Sequence, residues 1–278
     1  MKNFFVILKG DFEANIIIRL LQKYNEEYLV VEREDWNKFD QWSDQVRYQI
    51  FKKLGERYKV YFVKFPIEVS GGDMLKDVKV ISLRDGEECK ETALKQVADI
   101  IDCWLTPFEW LVSMNQADYI FGMNEFIDSK RNTYLKKYQY ESLMKMRDNV
   151  LRGEQIAQGI TRRELSIAKV AVENKKEYYG NSSRSLTVIS LPMDNNGPVM
   201  DILFSEDSYG YDILLIRMQS GQLIFSPYRE LTDKIQEKIQ ELGEESWTTR
   251  RETSTKDRIF IKDKNINMEK IIRDYIVS

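Results

Sequence analysis

The sequence predicts an α/β fold: a mostly parallel sheet flanked by helices, then a helical connector and a smaller C-terminal α+β domain. Three observations predict it. Short apolar runs alternate with helix-period segments from Asn3 to Leu105. Long helix-period stretches with strong start signals fill the middle of the chain. After the turn-rich "YYGNSSR" (Tyr178 to Arg184), strand patterns return in a different arrangement, including a hairpin. The expected domains are residues 1–128, 129–183 and 184–278.

Each element has a local reason. "NFFVILKGD" is a short buried strand ending at Gly10-Asp11. "EANIIIRLLQKY" places Ile16, Ile17, Leu20 and Leu21 on one helical face. "EYLVVERED" reads as a strand. "DQVRYQIFKKLGERY" reads as a helix, with Val46, Ile50 and Leu54 on one side and Gly55 as its stop. "KVYFVKFP" and "VKVISL" are two further strands, and "ETALKQVADIIDCWL" is an amphipathic helix. In "TPFEWLV", Thr106 at the N-cap, Pro107 at N1 and Glu109 at N3 open another helix. A helical middle is expected over 132–178, broken near Gly159 and restarted by a capping box, Thr161 to Glu164, with Leu165, Ala168 and Val172 on one face. Beyond it, "SLTVISLP" and "DRIFIKD" read as strands, and "DILLIRMQSGQLIFSP" as a hairpin through Gln219-Ser220-Gly221. "ELTDKIQEKIQELG" is a helix with Leu231, Ile235, Ile239 and Leu242 inward and Gly243 as its stop. "NMEKIIRDYIV" closes the chain as a helix.

Composition bounds the chemistry. Hydrophobic residues make up 42% and charged residues 31% of 278, which suits a globular chain. The net charge of −3 demands neither a nucleic-acid nor a membrane partner. The first apolar run, Phe4 to Leu8, is too short for a signal-peptide core, and no stretch approaches the roughly 20 apolar residues of a bilayer span. A cytoplasmic location and no membrane partner are therefore expected. The two cysteines, Cys89 and Cys103, lack a C-x-x-C spacing and are expected to be reduced thiols. No histidine occurs. That removes the commonest general base and transition-metal ligand, and with them Ser-His-Asp, Cys-His and His-ligated zinc chemistry. Neither a Gly-x-Gly-x-x-Gly nor a P-loop follows any strand.

Certain stretches carry a resemblance. They are "KGDFEAN" after the first strand, "VYFVKFP", "KVISLRDGEE", the run Lys95 to Met123 that contains "MNQADYI", and "AQGIT" at Ala157 to Thr161. In order and spacing the chain resembles the DHH phosphoesterase superfamily, whose members include RecJ-like nucleases and oligonucleotide or cyclic-dinucleotide hydrolases. The resemblance covers most of the chain, and no single motif of the family is intact. It implies a metal-binding first domain, a helical linker and a small substrate-binding domain.

The resemblance also implies where metal ligands should lie, and these places are altered. At the Asp-x-Asp place stand Asp11 and Glu13. Near a second ligand place stands Lys64, whose ammonium would occupy a cation's position. The signature itself reads Ser82-Leu83-Arg84, then Asp85; arginine does not give up its proton to ligate a metal. The last acid's place holds Gln116, with Asp118 two residues on. The family's Gly-rich, His-containing substrate loop is replaced by "GEESWTTRRETSTKD", in which Arg250 and Arg251 could meet an anion, as could Arg84.

Three functions follow as expectations. The first is an inactive DHH-like scaffold, regulatory or sensor subunit that acts with a protein partner or as a homo-oligomer and holds no cofactor. Trp247 is its best contact residue, whereas Trp104 and Trp110 are expected to fill core. The second is a nucleic-acid or nucleotide-binding module built on "SKRNTYLKKYQY" and "TTRRETSTKDR". The ordinary alternative for both stretches is solvated surface. The third is a Mn²⁺ or Mg²⁺ phosphoesterase with a rearranged site of Asp11, Glu13, Asp85 and Asp118. For these acids the ordinary alternative is surface carboxylates beside strands.

Overall fold

A computed structural model describes residues 2–32, 39–65, 78–82, 84–85, 90–131, 137–179, 184–203, 211–226, 229–249, 257–262 and 267–277. The chain divides into two compact units, Met1–Gly159 and Ile160–Ser278. The mixed α/β class expected from the pattern is what is found.

The first unit holds a four-stranded parallel sheet. Its strands are β1 (Asn3–Leu8), β2 (Glu27–Val31), β3 (Lys59–Val63) and β4 (Lys79–Ile81), in the order β2-β1-β3-β4. Parallel neighbours need crossovers, and helices α1 (Phe12–Lys23) and α2 (Asp44–Gly55) supply the first two. Alternate side chains serve opposite faces of the sheet. On one face Phe4, Val6, Val60 and Phe62 pack with Phe39, Trp42, Ile50 and Phe65. There Trp42 lies 5.5 Å from Phe62 and 5.3 Å from Phe65, ring to ring. Phe5, Ile7, Tyr61 and Val63 point to the other face and are also buried.

A two-residue hairpin, β5 (Arg84–Asp85) with β6 (Lys90–Glu91), precedes α3 (Ala93–Ile100). The Thr106–Glu109 capping box opens α4 (Pro107–Arg131) as expected, with reciprocal bonds of 2.7 and 3.3 Å. Helix α4 breaks at Asp118 and Tyr119, and the φ of Tyr119 is +56°. Helix α5 (Lys137–Ala157) packs on α4, and Gly159 follows it at φ +71°. The stop after α2 differs from expectation. Gly55 is still helical, and the left-handed residue is Arg57, at φ +62°.

The second unit begins with α6 (Arg162–Glu173), started by the expected Thr161–Glu164 box. Its six-stranded sheet comprises β7 (Lys176–Tyr179), β8 (Ser185–Ser190), β9 (Ile213–Arg217), β10 (Gln222–Ser226), β11 (Ser246–Thr249) and β12 (Asp257–Ile261), in the order β11-β12-β10-β9-β8-β7. Only β8 and β9 run parallel; their crossover contains α7 (Gly197–Leu203). The hairpin through Gly221 is present, and Met218 N–H donates to the Gly221 carbonyl at 2.7 Å. One face of the sheet packs on α8 (Arg229–Glu241) and α9 (Met268–Val277) through Leu231, Ile235, Ile239, Met268 and Ile272.

Three further expectations need correction here. Lys176 to Tyr178 are strand, not the end of the helical stretch, because they pair along β8. Leu242 is 47% exposed rather than inward, since α8 ends at Glu241 and Gly243 turns the chain at φ +76°. Trp104 is 93% exposed and fills no core, because Asp102 at φ +53° ends α3 before it. No helix among the described residues is long and apolar enough to cross a membrane.

Candidate functional site

In an open α/β sheet, ligands bind at the carboxyl ends of strands where the winding reverses. Here the reversal falls between β1 and β3, because β2 lies on one side of β1 and β3 on the other. The end of β1 leads to Asp11, and the end of β3 to Lys64.

Asp11 is the N-cap of α1, and its Oδ1 accepts the Ala14 N–H at 2.9 Å. Glu13 lies two residues into the helix and is 2% exposed. Lys64 turns the chain just after β3 in left-handed backbone, φ +66°, while its N–H donates to the Ile81 carbonyl at 2.7 Å. Left-handed backbone costs a non-glycine residue about 1–2 kcal/mol. The Lys64 side chain lies in the switch point and joins both acids: its Nζ is 2.6 Å from Glu13 Oε2 and makes an ion pair with Asp11 Oδ2. Burial pulls the lysine pKa down, but Glu13 and Asp11 more than offset it, so the ammonium is held above its ordinary range.

The second oxygen of Glu13 is also committed. Oε1 accepts the Leu94 N–H at 3.0 Å, at the positive end of α3. Nearby, Thr92 caps α3, and its hydroxyl shares a buried 2.6 Å hydrogen bond with Ser113. The Gln96 amide donates to the carbonyls of Ser82 at 2.5 Å and Glu91 at 3.0 Å, tying the end of β4 to α3. Glu13 therefore joins β3 to α3 as a structural carboxylate.

Glu154 of α5 is a fourth charged group here, and the sequence reading missed it. Burial raises its pKa first, and the Asp11 charge adds to that; the Gln158 amide, Lys64 and the Phe12 backbone pull the other way without cancelling it. Its Oε1 accepts from Gln158 Nε2 at 2.9 Å, and its Oε2 is buried without a hydrogen bond. Gly153 brings α5 this close. A Cβ built there would lie 2.4 Å from the Phe12 ring. No spacing signal links residue 154 to residue 11, because α5 reaches the site through tertiary packing.

The other expected site residues are placed as follows. Arg84 and Asp85 lie in the small hairpin, where Glu91 and Lys90 are their register partners on the backbone ladder. Asp118 sits at the break in α4. Arg250 and Arg251 fall outside the described residues, as do Leu83 and Cys89. Among the described residues, no three Asp, Glu or Cys side chains come together so as to hold a metal ion. The structure thus unites Asp11 and Glu13 around Lys64, without Asp118 as a third ligand.

Comparisons with known proteins add similarities of low degree. No family model matches the chain, and no curated protein matches it. Among solved structures, a pGpG-specific phosphodiesterase from Vibrio cholerae is similar at 11% identity and TM-score 0.43, covering 99% of this chain and 98% of that one. The DHH domain of a member of a ribosomal-protein family is similar at 9% identity and TM-score 0.47, covering 100% and 87%. An uncharacterized protein from Helicobacter pylori G27 gives 9% identity and TM-score 0.28, covering 100% and 99%. At these values the similarities assign neither activity nor ligand.

Proposed function

We propose that this protein is a degenerate relative of the DHH phosphoesterases that acts by binding, as a scaffold, regulatory or sensor subunit, and not by metal-dependent hydrolysis. One observation carries the reading: the Lys64 ammonium lies between Asp11 and Glu13. A hard cation at the switch point needs free carboxylate oxygens. Here Lys64 takes one oxygen of each acid, and the remaining ones cap α1 and α3. Activation of water by two metals needs several ligands at once, and this cluster offers an internal cation instead. The left-handed backbone of Lys64 agrees with a role for its side chain, since glycine would hold that turn at lower cost.

The test is a hydrolysis assay with short oligonucleotides, a cyclic dinucleotide and a chromogenic phosphodiester, each with Mn²⁺ and Mg²⁺. The reading expects no turnover above buffer. Mn²⁺-dependent turnover lost in Asp11→Ala would instead establish a rearranged carboxylate phosphoesterase.

A second reading, a nucleic-acid or nucleotide-binding module, has one favourable observation. Trp247 on edge strand β11 is 49% exposed and stacks on Phe260 at 4.2 Å and 24°. The register puts the exposed Arg258 on the same sheet face, opposite Thr249. Aromatic rings beside a guanidinium suit bases and phosphates. Salt-sensitive binding of short single strands, lost in Trp247→Ala, would establish this reading, and no binding at low salt would remove it.

A further inference from the structure

We propose that edge strand β11 pairs with β11 of a second copy of this chain, antiparallel, about a twofold axis at Trp247. The inference uses the second unit alone and holds whether or not the first unit binds metal. It assigns Trp247 to a protein contact, as the alternative to base stacking.

Among the described residues, β11 has one strand neighbour, β12, so its other side is a sheet edge. Successive residues of an antiparallel strand direct their N–H and C=O to alternate sides. Lys262 N–H donates to the Glu245 carbonyl at 3.4 Å, and the register sets 262 opposite 245. Positions 245, 247 and 249 therefore face β12, and the N–H and C=O of Ser246 and Thr248 point outward. Open edges invite a further strand, and proteins commonly blunt them with charged residues or proline. The opposite edge of this sheet, β7, carries Lys176 and Glu177. β11 reads Ser-Trp-Thr-Thr and has neither charge nor proline.

The side chains select a second copy as the occupant. Ser246 and Thr248 lie opposite Ile261 and Ile259, on the sheet face that packs on α8 and α9. Ser246 Oγ and Thr248 Oγ1 are both buried without a hydrogen bond, although both residues are partly exposed. Buried hydroxyls are costly to leave unpaired. Trp247 is on the other face and is 49% exposed. Self-pairing centred on Trp247 sets Ser246 opposite the partner's Thr248, and Thr248 opposite the partner's Ser246. These positions use every outward N–H and C=O of the strand in two reciprocal sets of backbone hydrogen bonds. A χ1 rotation brings each unpaired hydroxyl to the hydroxyl opposite, and cross-strand Ser–Thr bonds stabilise sheets. Trp247 meets the partner's Trp247 at a non-hydrogen-bonded position, where facing side chains are closest. Each Trp247 stacks on its own Phe260 at 4.2 Å, so the rings of both copies form one row. Centring the pair on Ser246 or on Thr248 would set the other residue beyond the end of the partner's strand. The strand is uncharged, so two copies meet without repulsion.

The test is sedimentation equilibrium of the full chain and its Thr248→Pro variant at about 100 μM. Proline at an edge position whose N–H faces outward leaves the ladder to β12 intact. The expected result is a dimer in the parent and association at least about 10-fold weaker in the variant, with an unchanged circular dichroism spectrum. A second measurement fixes the register and does not depend on that variant's folding. In a chain with Cys89 and Cys103 replaced by serine, Trp247→Cys is expected to give a disulfide-linked dimer on oxidation, because directly opposed Cα atoms about 4.5 Å apart suit a disulfide. Glu245→Cys is expected to stay unlinked, because position 245 lies opposite the partner's Thr249. Three results would overturn the proposal. They are a parent that stays monomeric, a dimer that a folded Thr248→Pro chain keeps, and cross-linking of Glu245→Cys as readily as Trp247→Cys.

Discussion

Lys64 Nζ stands 2.6 Å from Glu13 Oε2, and Glu13 is 2% exposed. A carboxylate so buried needs a partner, because an unpaired buried charge is far costlier than a paired one. Lys64→Met keeps the bulk of the side chain and removes the charge. It is expected to destabilise the protein by about 3–5 kcal/mol. Adding Glu13→Gln removes the stranded charge, so the double variant is expected to recover a large part of the loss. Urea denaturation of the four proteins in the cycle measures this coupling. Additive effects would mean that the ion pair contributes little.

Glu154 gives a pH dependence whose sign is fixed. Its pKa is raised in the folded protein, chiefly by burial. The folded state therefore favours the protonated acid more than the unfolded state does. The resulting stabilisation is complete below the ordinary glutamate range and is lost as pH rises through the raised value. Glu154→Gln mimics the protonated form. Thermal midpoints should match the parent in acid and exceed it at neutral pH. A variant less stable than the parent at neutral pH would mean that the carboxylate is held ionised.

Much of this architecture is legible in the sequence, and the limits have physical causes. Apolar runs such as Phe4 to Ile7 and Val60 to Val63 are buried on both faces, so they read as central strands. The Thr106 and Thr161 caps are readable because a capping box is local chemistry. Trp104 is not, since its exposure depends on where α3 stops, and the aspartate at position 102 that stops it is a weaker signal than glycine. At the candidate site Asp11, Glu13 and Lys64 are identifiable, whereas Glu154 depends on a helix packing more than a hundred residues away along the chain. β7, α7 and β11 escape a pattern reading because they are only 4, 7 and 4 residues long, too short to show a period.

Gly153 is tested by Gly153→Ala. A new Cβ would meet three Phe12 ring atoms between 2.4 and 2.7 Å away, and that ring also packs edge-on against Phe108 at 6.3 Å. Overpacking of this kind costs about 1–3 kcal/mol. The ring must move at the start of α1, beside Asp11. Combining Gly153→Ala with Phe12→Leu should restore part of the stability, read by thermal or urea unfolding.

Gly122 follows the break in α4. A Cβ there would fall 2.7 Å from the Met114 carbonyl oxygen and 3.3 Å from Asp118 Cβ. Alanine in a regular helix is favoured over glycine by about 1 kcal/mol. Here the contact is with backbone, which cannot rotate away, so Gly122→Ala is expected to destabilise. An increase in stability would show that the break at Asp118–Tyr119 is absent in solution.

The central claim is that Lys64 holds the place a divalent cation would need, and calorimetric titration of Mn²⁺ into the purified protein tests it most directly. The account predicts no binding at millimolar Mn²⁺ by the parent, and measurable binding only in a folded Lys64→Ala variant, where Asp11 and Glu13 are released. Tight stoichiometric binding by the parent, abolished by Asp11→Ala, would contradict the account and restore a metal-dependent hydrolase as the leading function.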